Sequence, residues 1–330
     1  MTLKYRRFIF AVVIAGWSFP LTADEELTRQ ETFTTFTPWF TGPLIAPSGS
    51  TVLPGHCNVE PYLYYYVYNG RYDQDWKTYS VPNFYSTRLQ IQLRMGLADR
   101  VAFQVYPQAF YNETQGQNYC NIGDLPLGFD FQLVKAKVKD YWPAVKLTLR
   151  ATLPIGKHQH LHADKKRTDA IGLGSWQPSF TVTLAKLFHT AERHYLETRL
   201  VFNYVFGVPV HVKGLNTYGG GFHTRGTVHP GDTFFIDGAL QYNLSQRWAL
   251  ACDLYYTHAN HNRFSGKVGT SSSGSAAVNT APSREQISLA PALEYNWSKN
   301  LGIIGGVWFT FAGRNSSRFA TGVIALNIYI

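Results

Sequence analysis

The chain has 330 residues, of which 45% are hydrophobic, 15% aromatic and only 15% charged, with 30 Lys and Arg against 21 Asp and Glu. So little charge beside so much aromatic carbon excludes a disordered chain. No stretch beyond the N-terminus supplies the roughly 20 consecutive apolar residues of a transmembrane helix, and basic residues scattered singly, without an RNA- or DNA-reading motif, leave nucleic acid out as a partner.

Residues 1–23 read as a secretory signal peptide, with Lys4, Arg6 and Arg7 before an apolar run from Phe8 to Leu21 and a cleavage site at Leu21-Thr22-Ala23. Residues 24–56 carry Pro38, Pro43, Pro47 and Pro54 and cannot form a regular helix. They are either a periplasmic tether or a partial plug folded into a lumen; composition leaves both open.

From residue 57 the pattern is period two. In the second segment Leu89, Ile91, Leu93, Met95 and Leu97 point one way, while Arg88, Gln90, Gln92 and Arg94 point the other. The alternation recurs about twelve times, roughly over 57–68, 84–97, 100–112, 124–135, 143–154, 175–187, 194–206, 233–245, 247–259, 284–297, 300–311 and 316–330. Segments near the roughly 9–11 residues of a tilted membrane-crossing strand, apolar outside and polar inside, predict an all-β fold: a single antiparallel up-and-down transmembrane barrel over 57–330. An even count closes the barrel and leaves no edge for lipid to meet. The location implied is the outer membrane of a Gram-negative bacterium, with membrane lipid and the barrel-assembly machinery as partners.

Connectors alternate between short (Ala98-Asp99, Lys137–Trp142, Phe188–Arg193, Ser245-Gln246, Ser298–Asn300) and long (69–83, 113–123, 155–174, 207–232, 260–283), as periplasmic turns and outer loops do. Aromatic residues at segment ends, among them Tyr62, Tyr64, Tyr65, Tyr66 and Tyr68, read as interfacial girdles. Cys57, Cys120 and Cys252 signal neither a disulfide framework nor a zinc site. Cys57 is expected at the periplasmic end of the first strand and Cys120 in an outer loop.

The turn Gly96-Leu97-Ala98-Asp99-Arg100-Val101 is followed by Gly123-Asp124-Leu125-Pro126-Leu127-Gly128, by Pro143-Ala144-Val145-Lys146-Leu147 and by Ala151-Thr152-Leu153-Pro154-Ile155-Gly156. In this order the motifs resemble the family of outer-membrane barrels assigned to the MetA pathway of phenol degradation, over roughly residues 84–330. The resemblance implies a transporter-like barrel and transfers no catalytic residues.

His158, His160 and His162 alternate as if on one strand face, within reach of one metal, but Lys157, Lys165, Lys166 and Arg167 oppose a cation there, so a solvated outer loop is the reading preferred. Gly219-Gly220-Gly221 has no following helix or lysine, so no phosphate cradle and no cofactor is implied. Tyr256-Thr257-His258-Ala259-Asn260 resembles the His-x-Ser-Asn motif of outer-membrane phospholipases with alanine in place of the nucleophile, which argues against lipid hydrolysis. The function expected is therefore non-enzymatic: passive passage of small solutes, hydrophobic or aromatic ones among them. The alternative is a structural or adhesive barrel with a closed lumen.

The residues expected to line that lumen are Arg88, Gln90, Gln92, Arg94, Asp130, Lys146 and Arg150 on the early strands, and Glu197, Arg199, Asp237, Asp253 and Glu294 on the late ones. With Arg247 counted among the late charges, a basic wall would face an acidic wall across a narrow channel.

Overall fold

In a computed structural model, which describes Phe36 and residues 38–330, the chain from Cys57 onward is mostly β-strand. The signal-peptide reading at 1–23 lies outside the described residues. Seventeen strands follow in order: β1 (Cys57–Tyr72), β2 (Thr78–Ala98), β3 (Val101–Val105), β4 (Gln108–Thr114), β5 (Gln117–Ile122), β6 (Leu125–Val134), β7 (Ala144–Leu153), β8 (Gln177–Ala191), β9 (His194–Val205), β10 (Val210–Lys213), β11 (Arg225–His229), β12 (Thr233–Asn243), β13 (Trp248–Ala259), β14 (Arg263–Lys267), β15 (Arg284–Ser298), β16 (Leu301–Arg314) and β17 (Ser317–Tyr329). β3 and β4 both pair with β2 and make one stave, interrupted at Tyr106-Pro107, because proline has no N–H for the ladder. β5 and β6 likewise make one stave, interrupted at Gly123-Asp124. The result is a closed barrel of twelve antiparallel staves.

Closure is complete because β1 pairs with both β2 and β17. Cys57 and Ile330 each donate a backbone N–H to the other's carbonyl at 2.8 Å, so the first residue of the wall meets the last. The two faces have opposite chemistry. On β2, Leu89 and Met95 are 46% and 40% exposed while Gln90 and Arg94 are each 9% exposed. Apolar residues more exposed than polar ones on the same strand invert the rule for soluble proteins and fit a wall solvated by lipid. Leu240, Leu250, Leu293 and Ile324 extend the outward apolar belt around the circumference. A closed antiparallel wall with this belt is an outer-membrane barrel.

Several expectations at the connectors change. The stretches 69–83 and 113–123 are mostly strand, reduced to tight hairpin turns: Asp73 accepts from the N–H groups of Asp75 and Lys77 at 2.8 and 2.9 Å, and Gln115-Gly116 sits at positive φ, as a type I′ turn requires. Cys120 thus lies in β5, opposite Tyr111 of β4, rather than in a loop. Phe188 to Ala191 continues β8, leaving Glu192-Arg193 as the turn. The stretch holding His158, His160 and His162 is not a strand, because His160 adopts φ 54° and breaks the alternation.

The long connectors build their own layer. β10, β11 and β14 form a three-stranded sheet around Val212 and Val228, with Tyr218 and Phe264 packed against them. Gly219-Gly220-Gly221 passes close to the loop of residues 260–283: a Cβ on Gly219 would stand 2.0 Å from the Val278 carbonyl oxygen. Asp124, at the break in its stave, accepts from Gly156 and Leu173 N–H at 2.8 Å each and so ties the 155–174 loop to the wall.

Candidate functional site

The interior begins with β1. Its period-two set Glu60, Tyr62, Tyr64, Tyr66 and Tyr68 turns inward, and the rings stack in a ladder with centroids 5.6, 5.8 and 5.7 Å apart. Tyr62, Tyr64 and Tyr66 are each 7% exposed, which corrects their reading as interfacial girdle; Tyr65, on the other face, is 51% exposed. Arg88 of β2 lays its guanidinium over the Tyr64 ring at 3.9 Å, and Arg150 of β7 lies over Tyr106 at 4.7 Å. The break at Pro107 buries Tyr106, whose hydroxyl accepts from Arg94 Nε at 3.0 Å.

Three ion pairs brace the wall: Arg94–Glu60 at 3.3 Å, Lys146–Asp130 at 3.9 Å and Arg199–Glu197 at 2.8 Å. Thr148 and Gln104 also donate to Asp130, and Gln92 accepts from Arg94 at 2.6 Å. Gln90 pairs with Gln108 at 3.3 Å. Burial at such pairs makes loss of one partner costly, because the remaining charge stays out of water. Arg88 and Arg150 form no ion pair with a carboxylate among the described residues, and their Nε atoms are buried without an acceptor. Asp237 is fully buried, and neither of its oxygens meets a donor among the described residues. Arg247, counted among the inward charges, sits instead in the exposed turn before β13 and donates to the Tyr295 hydroxyl at 3.4 Å.

Two of the late carboxylates, Asp253 and Glu294, are engaged by residues 38–53, which cross the barrel interior from β15 to β2. Glu294 accepts from the Thr41 N–H. Asp253 accepts three backbone N–H groups, from Leu44 at 3.0 Å, Ile45 at 3.4 Å and Ala46 at 2.9 Å, a nest that suits an anion. Arg199 donates to the Ala46 carbonyl at 3.0 Å, Gln132 takes the Thr51 N–H at 2.8 Å, and Gly55 N–H reaches the Gly96 carbonyl at 3.1 Å. Gly96 is required there, because a Cβ would fall 1.9 Å from the Leu53 carbonyl oxygen. Leu44 packs with Tyr62, Tyr64, Ala290 and Ile304, and Ala46 with Val201 and Ala239. The prolines that forbid a helix keep this segment extended, and its unpaired N–H groups find side chains in place of a ladder. Asp253 and Glu294 are therefore answered by backbone donors of this segment and Glu197 by Arg199 of its own strand, not by the basic wall.

Between this segment and the arginines lies a cavity of about 240 Å³, lined by Arg88, Arg94, Arg150 and Arg199, by the Tyr62, Tyr64 and Tyr106 rings and by Trp308, with Glu60 as its single carboxylate. Two larger cavities, of about 600 and 620 Å³, lie toward the long loops and share Arg71 and Arg167 in their linings. Glu60 and the tyrosine ladder were missed as interior residues, although the period that placed Arg88 inward places them too.

The remaining motifs stay apart from this interior. His258 Nδ1 lies 3.3 Å from Glu285 and its Nε2 lies 3.2 Å from Asn260, with no serine hydroxyl among its hydrogen-bond partners in the described residues. Among the described residues no three His, Cys, Asp or Glu side chains converge as metal ligands.

No family model and no curated protein matches the chain. Among solved structures, the COG4313 outer membrane channel from Pseudomonas putida F1 is similar at 14% identity and TM-score 0.63, over 87% of this chain and 100% of that one. The NanC porin (11% identity, TM-score 0.41, 82% of this chain and 98% of that one) and the TodX monoaromatic hydrocarbon channel (9%, 0.38, 84% and 90%) are more distant barrels. At such identities the likeness is one of fold, and the fold shared with the first is that of an outer-membrane barrel.

Proposed function

We propose that the chain is an outer-membrane conduit for passive passage of small solutes, with residues 38–56 as a partial plug that narrows it. The observation that carries this reading is the series of cavities inside a closed wall, from the long-loop end to the arginine-lined chamber beside the plug. Stacked rings beside hydrogen-bonding groups suit solutes with an aromatic or apolar body. The order of turn motifs supports placing the chain with the MetA-pathway barrels, and the outward apolar belt supports membrane lipid and the assembly machinery as partners. Roles assigned to the lumen residues follow from the same reading: Arg88, Gln90, Gln92, Arg94 and Arg150 border the path, while Asp253 and Glu294 hold the plug.

The rival is a closed structural barrel, favoured by how fully the plug is hydrogen-bonded. Swelling of proteoliposomes separates the two. Swelling in isosmotic sugars or amino acids is expected, slow because the chamber is small; no swelling with any solute up to the size of a monosaccharide removes the conduit.

A further inference from the structure

The charge lining the inner chamber and the two larger cavities is mostly positive, the interior carboxylates Asp130, Asp237, Asp253 and Glu294 lying outside these linings. Four arginines and one carboxylate line the inner chamber. Arg71, Arg167 and Arg284 line one of the larger cavities, and Arg71, Lys166 and Arg167 the other, with no carboxylate in either lining; Asp73 and Asp75 line a smaller cavity that shares Arg71 and Arg284 with the first. The tyrosine ladder runs between two of these cavities, since Tyr64 borders the inner chamber and Tyr68 the larger cavity lined by Lys166.

Within the inner chamber the four guanidiniums are not equivalent. Arg94 and Arg199 are neutralised by Glu60 and Glu197. Arg88 and Arg150 have only ring faces and neutral oxygens, Arg150 donating to Gln104 Oε1 at 3.1 Å. Arg199, 8% exposed, also keeps a buried Nε without an acceptor. A guanidinium stays charged at any working pH, and its planar fork matches a carboxylate. An uncompensated buried cation is costly, so a carboxylate entering here recovers interaction that water supplies poorly. The rings of Tyr62, Tyr64, Tyr106 and Trp308 offer the rest of the chamber to a flat apolar body. A chamber of about 240 Å³ limits that body to about one ring.

We propose that the inner chamber is a binding site for a small organic monocarboxylate with a flat apolar body, held between Arg88 and Arg150, and that the outer arginines draw such anions inward. The inference rests on the conduit reading for the solute's route, but the binding site stands without it. Opposed charges at the entrance raise the local concentration of an incoming anion, an effect that salt screens.

Three probes of one shape decide it: benzoate, benzyl alcohol and benzylammonium, measured by equilibrium dialysis against the full-length barrel in non-ionic detergent. Saturable benzoate binding is expected, at least about ten-fold tighter than either other probe, the order of one charge-assisted contact. Arg150→Gln and Arg88→Gln should each lose that preference, and Arg150→Lys should retain part of it. Correct folding of each variant is read from heat-modifiable migration on gels. Equal binding of all three probes, or benzoate binding unchanged in both glutamine variants, overturns the site. Where a variant does not fold, the ranking of the three probes on the native protein decides. Benzoate binding without any swelling of proteoliposomes would remove the conduit and leave the site; swelling by neutral solutes with no benzoate preference would do the reverse.

Discussion

Asp253 is the residue on which the inner segment turns. Three N–H groups converge on its carboxylate, and each buried donor left without an acceptor costs about 1–3 kcal/mol. Asp253→Ala is expected to free residues 38–53 while leaving the wall intact. Chymotrypsin should then cut at Trp39, Phe40 or Leu44, with heat-modifiable migration of the barrel preserved; continued protection would show that Leu44 packing alone suffices. Asp232, in the turn before β12, makes a second residue-scale prediction. Donation from the Gly207 N–H at 2.8 Å, and then from the Tyr204 hydroxyl at 2.7 Å, holds its carboxyl below the ordinary aspartate range. A lowered folded-state value stabilises above the unfolded value, near pH 4, and is lost as pH falls through the lowered one. Protection of the 207–232 loop against pepsin should therefore weaken as pH drops below about 4, and Asp232→Asn should show the weakened state at all pH values. Asp232 is largely solvated, so the effect is local.

At the scale of elements, the staves were legible because lipid enforces strict alternation: each outward residue must be apolar, and β2, β7 and β15 read correctly from their own sequence. Their ends were less legible. Hairpins such as Tyr72/Thr78 rise above the belt, where lipid no longer selects residues, and turn chemistry at Asp73 and Gln115-Gly116 sets the length instead. Tyr62, Tyr64 and Tyr66 were misread because a tyrosine suits an interfacial girdle and a polar lumen equally; only Glu60, two residues before, marks their face. The contacts of residues 38–53 carry no period at all, since an irregular chain pairs with whichever carboxylates the folded wall presents. The sheet of β10, β11 and β14 was hidden for a related reason, its strands being four or five residues long and brought together from two loops. Val228, fully buried there, offers a test: Val228→Asp buries an unpaired charge and should expose the 207–232 and 260–283 loops to proteases together, with the barrel unaffected. Cleavage of one loop alone would show that the two do not fold as a unit.

For the whole molecule, the division of labour is between a rigid wall and a chain laid across it. Deleting residues 38–53 removes one boundary of the inner chamber and leaves the arginine side in place. Single-channel conductance in planar bilayers should rise several-fold, with anions carrying more of the current than in the native protein. An unchanged conductance would place the constriction elsewhere, among the long loops.

The seam between Cys57 and Ile330 sets an order of events. The final stave can be zipped to the first only when the entire wall has been laid down, and joining staves this far apart in sequence carries a large loop-closure entropy. Residues 38–53 run straight from the first stave into a space that this joint seals. They must either lie inside before the seam closes or thread through the short-turn mouth afterwards. The Gly55–Gly96 contact beside the seam, formed between the segment's own end and the neighbouring stave, favours the first course: the cargo is stowed as the hull is fastened.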